Sequence, residues 1–152
     1  MVDIIHRVGI KAPVAQVYEA IASTHGVARW WSEDTKGDSE PGGTIKVGFR
    51  SPSGETVGAM GMTVVTLEPE REVRWCFDTG PAEWIGTDAV FTLSRDGDHT
   101  IVMFGHLNWR EQVAFTAHCS TKWATFLLSL KDYVEQGRGR PAPHDVKIDN
   151  WN

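Results

Sequence analysis

The sequence predicts an α+β fold: a curved antiparallel sheet wrapped around a long C-terminal helix, with two short helices after the first strand. Three observations carry that expectation. An apolar/polar alternation opens the chain over Val2–Ile10. Between Thr44 and Asn108, short alternating segments are separated by turn residues. Beyond them, Cys119, Trp123, Phe126, Leu127, Leu130 and Val134 recur at helical spacing. A run of hairpins leaves one apolar sheet face to cover, and one long helix with a matching stripe can cover it.

In the first strand Val2, Ile4, His6, Val8 and Ile10 share a face, and Asp3, Arg7 and Lys11 fall on the other. Pro13 suits the first turn of a helix, where its missing N–H is not needed. Val14, Val17, Tyr18 and Ile21 follow at helical spacing. Residues 23–26 break that helix, and Thr24 reads as the cap of a second, short one. There Val27, Trp30 and Trp31 stand at i, i+3 and i+4 on one face. Residues 32–43 are polar and read as a loop. Strands are expected over 44–50, 56–67, 73–77, 85–94 and 100–108. Turns are expected at 51–55, 68–71, 78–83 and 95–98, the last with an Asp-Gly step that favours hairpins. On the final helix Lys122, Ser129, Lys131, Asp132 and Glu135 lie off the stripe, and Gly137 caps its end. Residues 1–137 therefore read as one domain and 138–152 as an extended, solvated tail.

Composition excludes several classes of function. The chain has 152 residues and a net charge of −5 with histidine neutral, without the clustered Lys and Arg that nucleic acid demands. No apolar run approaches the roughly 18 residues of a membrane span. The first dozen residues carry charges and do not resemble an export signal, so a cytoplasmic location is expected, with Cys76 and Cys119 as free thiols. The six histidines show no H-E-x-x-H pattern and the cysteines no C-x-x-C, so no metal site is assigned. There is no phosphate loop and no G-x-S-x-G elbow, so no cofactor and no catalytic residue is assigned.

Two histidines stand on apolar strand faces. His6 is in phase with Ile4 and Val8, His106 with Val102 and Phe104, and Asn108 continues the second alternation. Each imidazole reads either as a satisfied core group or as one that meets a ligand. The adjacent Trp30 and Trp31 likewise read either as core aromatics or as the lip of a cavity.

Five segments occur in a telling order: IKAPVAQVYEAI (10–21), RWW (29–31), TLEPEREVRW (66–75), TDAVFTLSRDGDHTIVMFGH (87–106) and KWATFLLSLKDYVEQG (122–137). Together they resemble the START-like, or Bet v 1-like, helix-grip superfamily. Within it they resemble most the family named after the activator of the Hsp90 ATPase. The resemblance implies an internal cavity between sheet and C-terminal helix that binds a hydrophobic small molecule: a lipid, a polyketide or an aromatic metabolite. The implied lining comprises His6, Trp30, Trp31, Met62 and Trp75, together with Trp84, Phe104, His106, Asn108 and Trp123. A cyclase- or hydrolase-like enzyme using His6, His106 and Asn108 is the alternative. A chaperone-associated binding module is a third reading, but a chaperone contact is not expected of one domain. Self-association as a homodimer stays open.

Overall fold

In a computed structural model, which describes residues 1–51 and 53–152, the opening alternation becomes strand β1 (Val2–Ile10). Two short helices follow, α1 (Val14–Ala22) and α2 (Thr24–Trp30). Then come β2 (Asp34–Gly37), β3 (Thr44–Arg50), β4 (Thr56–Glu68), β5 (Glu72–Thr79), β6 (Asp88–Asp96) and β7 (His99–Trp109), and finally α3 (Ala114–Gln136). The seven strands form one antiparallel sheet in the order β1-β7-β6-β5-β4-β3-β2. The first strand thus pairs with the last, with Ile4 opposite His106 and His6 opposite Phe104. This is the expected α+β helix-grip architecture. Among the described residues no helix is long and apolar enough to cross a membrane.

The interior is aromatic. Trp30, Trp31, Trp75, Trp109 and Trp123 are all fully buried. Trp31 stacks on Trp75 with centroids 5.8 Å apart, meets Trp123 at 4.9 Å and packs edge-to-face with Phe49 at 6.0 Å. Trp30 packs on Phe91, and its indole N–H donates to the Ala20 carbonyl at 2.9 Å, fixing α2 to α1. The paired tryptophans at 30 and 31 therefore join the small helix to both sheet and long helix.

Several expectations change. Residues 34–37, read as loop, form an edge strand on β3. A short edge strand has one neighbour and open solvent on its other side, so it needs no apolar alternation. The cap of α2 is Ser23, whose Oγ accepts from the Gly26 N–H at 3.0 Å; Thr24 is already helical. The strand expected from 85 begins at Asp88 instead. Gly86, at φ +85°, donates to the Phe77 carbonyl and prolongs the preceding turn. The turn expected at 51–55 includes Pro52, which lies outside the described residues.

The largest difference is at the C-terminus. Residues 138–152 form a docked strap. Ser129 Oγ donates to the Trp30 carbonyl at 2.8 Å and accepts from the Arg140 N–H at 2.6 Å. Gly139 passes so close that a Cβ there would lie 2.6 Å from the Arg29 carbonyl oxygen. Ala142 donates to the Trp31 carbonyl and accepts from the Glu33 N–H. Ser129 and Lys122 are buried despite lying off the apolar stripe, because the strap covers them.

Trp31→Ala should destabilise the protein by ~3–5 kcal/mol, the usual cost of deleting a large core aromatic. Urea unfolding checks this; a loss under about 1 kcal/mol would mean its stacking partners close over the gap.

Candidate functional site

The alternation along β7 points His106 inward, where it is fully buried. There it joins a single directional chain of hydrogen bonds. The Trp123 indole N–H donates to His106 Nδ1 at 3.1 Å. Nδ1 is thus the acceptor, so Nε2 carries the proton and donates to Thr87 Oγ1 at 2.7 Å. Thr87 in turn donates to the Trp84 carbonyl at 2.6 Å. Burial pushes the His106 pKa down to about 3, and the ring stays neutral. Both ring nitrogens are occupied by protein groups. The reading of His106 as a ligand contact or as part of an enzyme site is therefore corrected: it is a positioning group between two tryptophans.

The other polar candidates are also accounted for. His6 Nε2 lies 3.0 Å from the Ser120 carbonyl and 3.2 Å from Ser120 Oγ, pinning β1 to α3. Asn108 is exposed, contrary to its expected inward phase. Its φ of +73° and a register shift on β1 break the alternation, so Trp109 turns inward in its place. Its backbone N–H is bound by the Asp3 carboxylate at 2.9 Å.

The aromatic candidates divide. Trp30, Met62, Trp75 and Phe104 are closed into the core. Trp31, Trp84 and Trp123 border a pocket of about 120 Å³ that opens partly to the surface. The pocket lies between the N-terminal half of α3, β3 and β4, and the turn that carries Pro81. The cavity implied by the resemblance is thus largely filled with indoles, leaving this smaller space at one end.

Sequence reasoning missed the rest of the wall. Phe115, His118, Cys119, Lys122 and Phe126 all line it. With Trp123 they stand at i, i+3, i+4, i+7, i+8 and i+11, a helical face extending one turn before the stripe. That spacing was the available signal, hidden because it includes a lysine and a histidine. Lys122 is held by the Asp145 carboxylate, donates to the Val146 carbonyl at 2.7 Å and sits 5.0 Å from the centre of the Phe126 ring. Burial alone would raise the Asp145 carboxyl, but hydrogen bonds from Lys122 and Lys147 outweigh it and hold it below the usual carboxylate range. Burial pushes the Cys119 thiol up to about 12, so it is neutral and a poor nucleophile. The Trp84 N–H lies against that sulfur without an ordinary hydrogen bond. Among the described residues, Trp84 and Trp109 Nε1 are the buried side-chain polar atoms without a partner.

A larger groove, of about 470 Å³, runs between α1, α2 and the end of α3. Its walls include exposed Ala15, Gln16, Glu19 and His25, so it would not enclose a ligand. Among the described residues no group of three His, Cys, Asp or Glu side chains could hold a metal ion. Cys76 and Cys119 are both free.

Residues 11–135 match the family described as Activator of Hsp90 ATPase homolog 1-like protein. No curated protein matches the chain. Among solved structures, the chain is similar to the Aha1 dimer from Colwellia psychrerythraea, determined in solution. The two are 41% identical, with a TM-score of 0.79 over 91% of this chain and 100% of that one. It is also similar to CalU16 from Micromonospora echinospora, at 21% identity and a TM-score of 0.72, covering 93% and 77% of the two chains. A Staphylococcus saprophyticus protein matches at 18% identity and a TM-score of 0.71, covering 91% and 95%. These last two likenesses bear on the fold alone.

His106→Phe keeps the ring's bulk but strands the Trp123 N–H, so a loss of ~1–3 kcal/mol at pH 7 is expected. The pH dependence follows from the lowered pKa. Between the ordinary value of 6.5 and about 3, the unfolded chain binds a proton that the folded ring refuses. The wild type therefore loses about 1.4 kcal/mol per pH unit from this group on acidification, and the variant does not. The stability gap between them should narrow from pH 7 to pH 5 in urea unfolding. A constant gap would mean that the folded ring titrates normally.

Proposed function

From a chain that belongs to the activator of Hsp90 ATPase homolog 1-like family, we propose a binding protein that holds a hydrophobic small molecule in the pocket under Trp31, Trp84 and Trp123. The observation that carries this reading is their convergence: α2's end, the turn after β5, and α3 each bring one indole to the same open space. Apolar walls with few polar groups are the usual form of a small-molecule site. Volume narrows the class. An engineered apolar cavity of about 150 Å³ takes up benzene, and about 120 Å³ suits a compact aromatic ring better than an acyl chain or a polyketide. A cytoplasmic location is part of the same reading.

Binding is favoured over catalysis by the state of the polar groups. His106 has no free nitrogen, Lys122 and Asp145 hold each other, and the Cys119 thiol stays protonated. A second reading, self-association, is supported by the 41% identical relative, whose solution structure is that of a dimer. Sedimentation equilibrium tests it directly: a single species at 16.9 kDa across the micromolar range would remove it.

Titration with benzyl alcohol, followed by NMR, should shift the indole N–H signals of Trp84 and Trp123 while leaving Trp30 unmoved. Cys119→Met, which extends a side chain into the pocket, should weaken the binding at least tenfold. Shifts confined to the α1–α2 groove would place the ligand elsewhere and sink the proposal.

A further inference from the structure

Lys122 is the one lysine or arginine in the pocket wall among the described residues. A buried ammonium would ordinarily favour a carboxylate guest, because an unpaired charge in an apolar site is costly. Here the strap supplies that carboxylate itself. Asp145 is as buried as Lys122, bonds it directly, and is braced by Lys147 Nζ at 2.9 Å. Val146 adds a carbonyl on the same ammonium, filling a second of its three donors. Lys147, the second ammonium on Asp145, bonds its other oxygen and lies outside the pocket wall. His118 faces Asp149 at 2.6 Å, and the charge of Glu83, exposed in the turn before Trp84, disfavours the Cys119 thiolate.

We infer that the pocket selects an uncharged single-ring aromatic molecule and rejects the corresponding carboxylate, because Asp145 of the C-terminal strap has neutralised Lys122. This rests on the ligand-pocket reading above and specifies its chemistry. A guest carboxylate would be stripped of water against aromatic faces, with the one ammonium in the wall already paired to Asp145. To become the counter-ion of Lys122 it would have to displace Asp145, which the docked strap holds at high local concentration. A neutral ring carries no such cost.

Isothermal titration at pH 7 with benzyl alcohol and with benzoate tests this. Wild-type protein should bind the alcohol at least tenfold more tightly. In Asp145→Asn, Lys122 keeps its charge but loses its counter-ion, so benzoate affinity should rise at least tenfold while the alcohol changes less than threefold. Should that variant not fold, Lys122→Met/Asp145→Leu removes both charges and should retain the wild-type preference. Equal binding of the two probes by wild-type protein, or no gain of benzoate binding in folded Asp145→Asn, overturns the selection and leaves the pocket standing. No binding of either probe overturns the pocket reading and this inference with it.

Discussion

The position of Trp31 is the constraint on which the rest depends. Its ring lies flat on Trp75 of the sheet, leans on Trp123 of α3 and meets Phe49 at a steep angle. Its carbonyl accepts the Ala142 N–H from the strap. One residue thus joins the sheet, the long helix and the C-terminal segment, and also forms part of the pocket wall. A planar side chain with two large faces can satisfy that many partners at little conformational cost, having only two rotatable bonds. The interior is set by stacking distances between rings, and the pocket is the space these rings leave beside the N-terminal half of α3.

The hydrogen-bonded chain from Trp123 through His106 and Thr87 to Trp84 supports this arrangement from behind. It ties the Trp123 indole to the backbone of Trp84 through groups that do not line the pocket. A buried polar chain is stabilising only when every member is satisfied. Here the neutral imidazole satisfies it, donating at one nitrogen and accepting at the other. The histidine that looked like chemistry is a spacer between two walls.

Much of the fold was legible because it is periodic. The alternation of β1, β5 and β7 and the stripe of α3 are direct consequences of burying one face. β2 was not legible, since an edge strand of Asp, Thr, Lys and Gly buries nothing that would mark it. Asn108 misled because one left-handed residue inverts the phase after it, and periodicity presumes uniform backbone. The candidate site was legible only where an aromatic side chain declared itself, as at Trp31, Trp84 and Trp123. Lys122 was hidden for a physical reason: a lysine reads as solvated unless its counter-ion is known. That counter-ion, Asp145, sits 23 residues on, in a segment without periodicity. The partners of His106 at Thr87 and Trp123 are likewise brought together only by the closed fold.

The pairing of β1 with β7 has a consequence for how the protein is made. Among the described residues β1 finds its one sheet neighbour roughly a hundred residues later in synthesis, at His99–Trp109. At about 5–20 residues per second, that wait lasts roughly 5–20 s. Throughout it, β1 has a one-sided apolar surface and two unpaired backbone edges. The helix that receives His6 is synthesised later still. Co-translational folding can settle the β3–β6 hairpins early, but β1 cannot join the sheet until β7 is made.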